Sequence, residues 1–375
     1  MAAAKPRRWN YKLIISLEVL ILIVLMILYS LWNVNHKMNK IDYNDLSDDD
    51  IEINENMNSD ATGYTNIALF GGDSRNGTVE KGTHSDTVII VNLNHETKEV
   101  KMVSVYRDTF LEIAKDNPNN QKLTHAHFIG GPKMAINTLN RNLDMDIKDY
   151  VTVNFEAVTK AVDVLGGIEV TIKKNEVKWF NKNIKEQNKI FNESTPLLQG
   201  PGTYTLNGTQ ALAYARIRKT DQGDITRTER QREVIGLMVA KIKKEGLTKL
   251  NDLMDAVFPL ISTSISKTEM ISLASQVFGY DIVDTTGFPF SYTSPTLGKK
   301  GSVLVPADLE HNVMALHKYL YDTENYQVSE TVKRISQSII SETGVTYTKP
   351  IDLLESSGTG DSTSEAGTTE TPVTQ

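Results

Sequence analysis

Two apolar runs within SDTVIIVNLNHETKEVKMVSVYRD (residues 85–108) determine the fold of this chain of 375 residues. DTVIIVNL (86–93) and EVKMVSVY (99–106) have the length and the β-branched content of strands. The short polar stretch NHETK lies between them, and this arrangement predicts a β-hairpin.

The register of this hairpin predicts a pair of charged side chains. If the turn is centred between Glu96 and Thr97, the numbers of two paired residues add up to 193. Asp86 and Arg107 satisfy this condition, so we expect them to face each other at the open end of the hairpin. Taken alone, they indicate a cross-strand ion pair, which contributes at most about 1 kcal/mol when it is exposed.

Further strand and helix patterns flank the hairpin. TNIALFG (65–71) is a short apolar run that predicts a strand ending in glycine. Apolar residues recur at helical spacing in three segments, 130–143, 155–166 and 207–216. Because strands and helices are interleaved, we predict an α/β fold in which helices cover a mixed central sheet in α/β/α layers. Residues 172–200 are predicted to be an irregular surface excursion.

The N-terminal region predicts a membrane anchor. LIISLEVLILIVLMILYSLW (13–32) is an apolar run of about the 20 residues that a bilayer core requires. Four basic residues precede it in the segment 1–12, which places this tail in the cytoplasm by the positive-inside rule. The run therefore predicts one uncleaved transmembrane helix that precedes an extracellular domain.

The rest of the chain divides by composition. Residues 33–60 are acidic and polar and predict a solvated spacer, whereas 351–375 are rich in Ser and Thr and are expected to be disordered. The single folded domain is predicted between them, at 61–350. The chain has no cysteine and a formal net charge of −7, which excludes disulfide scaffolds, cysteine nucleophiles and a basic nucleic-acid footprint.

A cluster of arginines lies at the start of another predicted helix. GDITRTERQR (223–232) precedes an amphipathic pattern, and Asp224 or Thr226 is expected to cap the helix. Arg227 and Gln231 continue the apolar stripe, so we expect them to point inward. The first turn is the positive end of a helix dipole, so an inward arginine there indicates a bound anion such as phosphate.

We expect some of the neighbouring arginines to face the site and others to face solvent. Arg216 and Arg218 are two residues apart in a stretch predicted to be extended, so they should point to the same side. Arg230 is equally compatible with the site and with solvent. Arg232 is expected to be solvated, with nearby glutamates as partners. A pyrophosphate together with Mg²⁺ would account best for so many cations.

Two aspartates are candidate metal ligands. Asp73 follows the first strand and Asp86 begins the second, so both lie where the strands of an α/β sheet place a site. Carboxylates suit Mg²⁺, although a surface charge network is the alternative for two aspartates near Arg75 and Arg107. His125 and His127 in LTHAHF are assigned a structural role on a predicted strand, because no third zinc ligand has a suitable spacing.

Together these motifs resemble the LytR–CpsA–Psr family of membrane-anchored wall-assembly phosphotransferases. The resemblance covers roughly residues 61–245. It rests on five segments: GGDSR (71–75), HSDTVIIV (84–91), MVSVYRDT (102–109), the run 122–170, and LNGTQALAYARIRKTDQGDITRTERQR (206–232). Two positions depart from the family pattern, since Tyr106 stands where proline is frequent and His84 where arginine is frequent.

The resemblance implies a reaction and a site. Such enzymes move a glycopolymer phosphate from a polyprenyl-pyrophosphate lipid to a peptidoglycan hydroxyl and release polyprenyl phosphate. By position, Asp73 and Asp86 would hold Mg²⁺ or Mn²⁺. The pyrophosphate would be clamped by Arg75, Arg107, Arg216, Arg218 and Arg227. Asp224 and Gln231 would line the same catalytic corner, and the lipid would occupy an apolar tunnel walled by the helices of 130–165.

Several alternatives stay open at this level. Water could replace the sugar acceptor, which would make the protein a polyprenyl-pyrophosphate hydrolase. It could also be a tethered regulatory protein that binds the lipid without catalysis. Asp224 and Asp86 are both candidates for the general base. The expected location is the cell membrane of a Gram-positive type of envelope, with teichoic acid or capsule as the glycopolymer.

Overall fold

The computed structural model describes residues 32–54, 62–72, 82–116, 118–220 and 223–346. The strands in chain order are β1 (Asp42–Tyr43), β2 (Tyr64–Gly72), β3 (Ser85–Asn94), β4 (Glu99–Val105), β5 (Phe110–Glu112), β6 (Asn120–Lys122), β7 (Asp149–Asn154), β8 (Ile168–Ile172), β9 (Gly202–Leu206), β10 (Ile261–Thr263), β11 (Asp281–Phe288), β12 (Tyr292–Thr293), β13 (Thr296–Leu297), β14 (Gly301–Ser302) and β15 (Val305–Pro306). The helices are α1 (Leu123–Leu143), α2 (Phe155–Val164), α3 (Val177–Phe191), α4 (Gly208–Ala215), α5 (Asp224–Glu245), α6 (Leu247–Val257), α7 (Lys267–Gln276), α8 (Leu309–Tyr321) and α9 (Glu330–Thr343).

Seven strands form one mixed sheet in the order β1-β10-β7-β2-β3-β4-β11. The three central strands β2, β3 and β4 are antiparallel neighbours, whereas β7 runs parallel to β2 and β11 parallel to β4. The predicted hairpin has the predicted register, since Ile89 pairs with Ser104 and Ile90 with Val103. The alternation of side chains along these strands therefore places apolar residues on both faces of the sheet.

Helices cover both faces, which confirms the predicted layered α/β architecture. Phe70, Ile90 and Val105 lie on one face, in a core that also contains buried residues of α1, α8 and α9. Ile89 and Met102 lie on the other face and pack with Ile235 of α5. Burial of each such side chain contributes about 1.5–3 kcal/mol to folding, so the sheet is held from both sides.

A second core lies beside the sheet and contradicts one prediction. The hairpin β8–β9, the helices α2 to α4 and one side of α5 share buried residues such as Val162, Phe180 and Val234. The segment 172–200 is therefore not irregular throughout, because α3 lies within it. Phe180 and Ile184 are fully buried four residues apart on one helix face, which explains why α3 packs against the domain.

Two local predictions were wrong for reasons of backbone geometry. His125 and His127 lie in the first turns of α1, which begins at Leu123, and not on a strand. Helix α5 has Gly223 as its N-cap, with no side-chain cap; Asp224 is its first residue and accepts a hydrogen bond from Arg227. The carboxylate of Asp224 is therefore used by an arginine and not by the backbone of the helix.

Part of the predicted spacer packs against the domain. Residues 32–38 are helical, Met38 and Ile41 are buried, and β1 pairs with β10. The predicted anchor lies outside the described residues except for Trp32, and among the residues that are described no helix combines the length and apolarity needed to cross a membrane. The predicted tail 351–375 also lies outside the described residues, and the predicted domain boundaries stay predictions.

Candidate active site

The open end of the β3–β4 hairpin brings the first predicted pair together. Arg107, just beyond the end of β4, donates a hydrogen bond from Nη1 to Oδ1 of Asp86. Arg218, which follows α4, donates from Nη2 to the other carboxylate oxygen of Asp86 over 3.1 Å. Both oxygens of Asp86 are thus engaged by guanidinium groups that come from different parts of the chain.

Arg227 lies beneath this pair. It points inward as predicted, and only 1% of the residue is exposed. Its Nη2 donates to the backbone carbonyl of Asp86 and to Oδ2 of Asp224, each over 2.8 Å. Its Nε and Nη1 are buried and have no hydrogen-bond partner within the described part of the chain. Two strong donors at the floor of the site are therefore not satisfied by the described protein groups.

The ionisation of these groups is set by burial and by one another. Burial lowers the pKa of Arg227 to about 10, and the nearby Arg218 and Arg107 add to this effect while Asp224 and Asp86 oppose it. Arg227 still carries its charge at neutral pH. The charge is thus held in a poorly hydrated place, which is the condition under which an anion binds strongly.

Asp86 shows the opposite balance. Burial alone would raise its pKa, but Arg107, Arg227 and Arg218 outweigh burial, and the pKa of the carboxyl lies below its ordinary value. Burial would likewise lower the pKa of Arg107, but Asp86 and Asp224 raise it. Both groups are therefore fully ionised at neutral pH.

These side chains surround a polar cavity of about 380 Å³. It is lined by Asp86, Arg107, Phe155, Trp179, Lys182, Asn183, Glu186, Arg216, Arg218, Lys219, Arg227 and Gln231. The guanidinium of Arg216 lies 4.9 Å from the centre of the Phe155 ring, and the side-chain oxygen of Gln231 is buried without a described partner. Arg216 and Arg218 reach the same cavity as predicted, although Arg216 lies at the C-terminal cap of α4 and not in an extended stretch.

An apolar cavity of about 190 Å³ continues from the polar one. Phe155, Arg216 and Gln231 line both cavities, so the two are adjacent. The walls of the apolar cavity come mainly from the sheet, α2, α4 and α5, with Leu69, Ala161, Leu212 and Met238 among them. The expectation of a wall from 155–165 is confirmed, but α1 packs against the opposite face of the sheet and contributes none of the lining.

We call Asp86, Arg107, Arg216, Arg218, Asp224, Arg227 and Gln231 the arginine site. All seven were predicted from the sequence, and the structure brings them to one place. Asp73 and Arg75, the other predicted members, lie outside the described residues.

The two remaining arginines of α5 do not belong to the arginine site. Arg230 is buried and donates to Glu176, Thr220 and the carbonyl of Ile217. Arg232 is 6% exposed, so the expectation that it is solvated was wrong. The physical reason is that α5 packs against the sheet on one side and the second core on the other, so more than one stripe of the helix is buried.

Sequence reasoning missed the outer wall of the polar cavity. Trp179, Lys182 and Glu186 come from α3, which was not predicted, and Lys219 follows Arg218. Lys219 lies over the Trp179 ring, 5.3 Å from its centre. The spacing of Val177, Phe180 and Ile184 is helical and was the signal available for finding α3.

The described residues offer limited support for a metal. Among them there is no group of three or more potential His, Cys, Asp or Glu ligands. The donor chemistry is nevertheless suitable, since the carboxylate of Asp86 is a hard oxygen donor beside cations that would hold phosphate. Each oxygen of Asp86 accepts one bond from an arginine, so an ion would share this carboxylate with Arg107 and Arg218.

Comparison with known proteins gives the family. The LytR_cpsA_psr family profile matches residues 28–308, and this chain belongs to that family. The match includes every member of the arginine site.

Individual relatives agree with this assignment. The chain is 36% identical to biofilm regulatory protein A of Streptococcus mutans over 204 residues. This alignment covers 52% of this chain and 48% of that protein. The chain is also 33% identical to the polyisoprenyl-teichoic acid–peptidoglycan teichoic acid transferase TagU of Halalkalibacterium halodurans over 215 residues. This alignment covers 57% of this chain and 65% of the relative. The chain thus spans about half to two thirds of the length of these relatives.

The fold agrees with a solved structure of TagT bound to LI-WTA. The TM-score is 0.51 at 25% sequence identity, and the superposition covers 76% of this chain and 93% of that one. The layered sheet is therefore shared with a protein that was solved bound to LI-WTA.

Proposed function

We propose that this protein is a phosphotransferase that moves a glycopolymer phosphate from a polyprenyl-pyrophosphate lipid to a hydroxyl of peptidoglycan. The observation that carries the proposal is a polar cavity lined by four arginines, one of which, Arg227, is buried with two donors that have no partner among the described residues. A diphosphate would satisfy these donors and neutralise the excess of cations. The teichoic acid transferase activity of relatives such as TagU supports the same reaction.

The adjacent apolar cavity supports a lipid-linked donor. A polar mouth that continues into an apolar cavity fits a molecule with a charged head and a hydrocarbon tail. Arg216 and Gln231 line both cavities and would lie at the junction of the pyrophosphate and the first isoprene units. We therefore place the pyrophosphate among Arg107, Arg216, Arg218 and Arg227, with Arg75 as a further ligand.

The reaction can proceed in one displacement at phosphorus. The acceptor oxygen forms a new bond to the glycan-linked phosphorus while the bond from that phosphorus to the bridging oxygen breaks, and polyprenyl phosphate leaves. The arginines stabilise the charge on the non-bridging oxygens. Asp224 and Asp86 are our candidates for the general base that accepts the hydroxyl proton, and the lowered pKa of Asp86 makes that carboxylate a weaker base than an ordinary aspartate.

Mg²⁺ or Mn²⁺ is part of the proposal. Asp86 together with Asp73 would hold the ion. When bound, it would neutralise phosphate charge and help to orient the donor.

The proposed location is the cell membrane. The apolar run 13–32 would anchor the chain, with the N-terminus in the cytoplasm and the domain outside. The domain would then meet the lipid-linked donor and peptidoglycan on the same side of the membrane.

Reconstitution of the full chain in vesicles tests this function. Vesicles would contain a polyprenyl-pyrophosphate glycan, and soluble peptidoglycan oligomers would serve as acceptor. We expect a mass increase of the acceptor that corresponds to the glycan with one phosphate. Lys318→Ala, a change at a half-exposed lysine on α8 outside the arginine site, is the matched control and should retain activity. Free glycan phosphate without conjugate would show a hydrolase, and donor binding without turnover would show a lipid-binding protein.

A further inference from the structure

Two consecutive helices, α6 and α7, leave apolar side chains uncovered. Leu247 is 72% exposed and Ile271 is 47% exposed. Within the described residues, neither helix has a single fully buried residue. Further apolar residues of this region are only partly buried: Leu250, Leu253, Met254, Phe258, Met270, Leu273, Val277 and Phe278. We call the exposed side of these two helices the α6–α7 face; exposed apolar side chains with polar residues around them are typical of interaction surfaces.

The α6–α7 face is tied to the segment that follows the predicted anchor. Lys37 is 4% exposed, and its Nζ donates to Asn251 and, over 2.6 Å, to Asp255 of α6. Lys40 also pairs with Asp255, and Lys267 of α7 donates to Asn39. These contacts fix α6 and α7 to residues 37–40 through buried and exposed polar bonds.

This connection sets the height of α6 above the end of the predicted anchor. Residues 32–38 are helical, so Lys37 lies about 8 Å along the helix from Trp32. Trp32 is 60% exposed and is the kind of residue that favours the membrane–water interface. Because Lys37 binds Asp255 directly, the Asp255 end of α6 lies beside this short helix, and Leu247 lies about 12 Å further along α6.

The charged residues around the face are compatible with a lipid surface. Lys244 shortly before α6 and Lys267 at the start of α7 are both exposed. Lysines beside exposed apolar groups can bind anionic headgroups while the apolar groups enter the upper acyl region. Asp255 is already paired with two lysines, whereas Glu245 and Asp252 are exposed acids that offset part of the positive charge. The apolar side chains, and not a large net charge, therefore provide most of the attraction.

The same helix also belongs to the wall of the apolar cavity. Val257, in the last turn of α6, lines that cavity beside Val158 and Ala161 of α2. Helix α6 packs extensively against α2, and Lys249 donates to the carbonyl of Val164. Helix α6 thus borders both the apolar cavity and the α6–α7 face.

We infer that the α6–α7 face rests on the outer leaflet of the membrane and leads the donor's hydrocarbon tail from the bilayer into the apolar cavity. This inference rests on the proposed function for the identity of the tail, but the membrane contact itself does not depend on catalysis. The partner is a lipid surface that includes anionic headgroups. Its contact with the domain adds to that of the anchor.

Accessibility measurements on the full chain test the membrane contact. The chain has no cysteine, so Leu247→Cys and Ile271→Cys each provide a single position for a nitroxide label. Lys318→Cys on α8 is the matched control, because its side chain is 52% exposed and lies on a helix that packs on the other face of the sheet. The labelled proteins would be reconstituted in vesicles of phosphatidylglycerol and phosphatidylethanolamine.

At positions 247 and 271 we expect collisions with oxygen to exceed those with a water-soluble nickel chelate, and at 318 we expect the reverse order. Nickel-dominated collisions at 247 and 271 would overturn the inference. Spin–spin broadening at 247 would also overturn it, because it would assign the face to a second copy of the chain. Since no substrate is present, this result is independent of the proposed transferase activity.

A second measurement tests the path of the tail. The double variant Leu247→Glu, Ile271→Glu should lose most of its turnover with a long-chain polyprenyl donor in vesicles, because glutamate is costly in the acyl region. With a short-chain donor in detergent, the double variant should have the same turnover as the unmodified protein, because the donor then does not have to leave a bilayer. An equal loss in both assays would contradict the role in tail transfer.

Discussion

Arg227 and Arg230 lie one turn apart on the same helix, and both are buried, yet they have opposite surroundings. Arg230 donates from Nε and Nη2 to Glu176 over 3.0 and 2.8 Å, from Nη1 to a carbonyl, and from Nη2 to Thr220. Arg227 uses only Nη2, and two of its nitrogens have no partner among the described residues. The difference separates these two arginines: the described protein saturates Arg230, whereas Arg227 lines the polar cavity and has donors without a described partner.

The same contrast holds for the carboxylates. Glu176 accepts two bonds from Arg230 and is itself buried. Asp86 and Asp224 are shared among Arg107, Arg218 and Arg227, so cations exceed anions at the mouth. Arg141 is likewise held by carboxylates of the protein, since it pairs with Glu112 and Glu52, and Glu112 also accepts from Arg334. Only the arginine site leaves room for an external anion among these described clusters.

The largest expected effect is on folding, at Arg230. Arg230→Ala would leave Glu176 as an uncompensated buried charge, and breaking a buried pair costs about 3–5 kcal/mol. The free energy of unfolding from urea titration should fall by that amount. The double variant Arg230→Met, Glu176→Met is the control and should recover most of the loss, because it removes both charges. An unchanged urea midpoint for Arg230→Ala would show that the pair is not structural.

A smaller effect is expected at Arg227, on catalysis. Arg227→Ala removes donors directed at the charge that develops on the phosphate, and such a loss lowers the rate by about 10²–10³. The thermal midpoint should fall, because a buried side chain and its bonds to Asp86 and Asp224 are lost, but it should fall less than for Arg230→Ala, since the carboxylate of Asp224 is 25% exposed whereas that of Glu176 is 3% exposed. Transfer assays and calorimetry measure the two quantities. Added pyrophosphate should raise the midpoint of the unmodified protein and not that of the variant. If Arg227→Ala unfolds the protein and Arg230→Ala does not, the assignment of Arg230 as the structural arginine and Arg227 as the ligand-binding one is wrong.

The smallest effect is a pH dependence at Asp86. The pKa of Asp86 is lower in the folded state than in the unfolded chain, where it is about 3.9. Its ionised form therefore stabilises the fold above about pH 4, and this contribution is lost as the pH falls through the lower folded value. Thermal midpoints of the unmodified protein and Asp86→Asn should differ at pH 7 and converge in acid. A difference that grows below pH 4 would contradict the assigned direction.

Much of the fold could be predicted from the sequence in segments where the apolar residues recur at a regular spacing. The β3–β4 hairpin was predicted with its register because the apolar run and the polar turn fix the pairing, and Asp86 and Arg107 followed from it. Helix α5 was predicted from its apolar stripe, which also gave the inward direction of Arg227. Helix α3 was not predicted, because its polar composition masks the spacing of Phe180 and Ile184.

The sequence by itself determined the family motifs, the hairpin and the identities of the charged residues that form the arginine site, because these depend on local spacing and residue type. Only the tertiary structure decided which arginines are saturated. Glu176 precedes α3 and meets Arg230 across 54 positions of the chain, and nothing local specifies that contact. Whether a buried cation has a partner depends on which distant carboxylate the packing of helices on the sheet brings within hydrogen-bond distance.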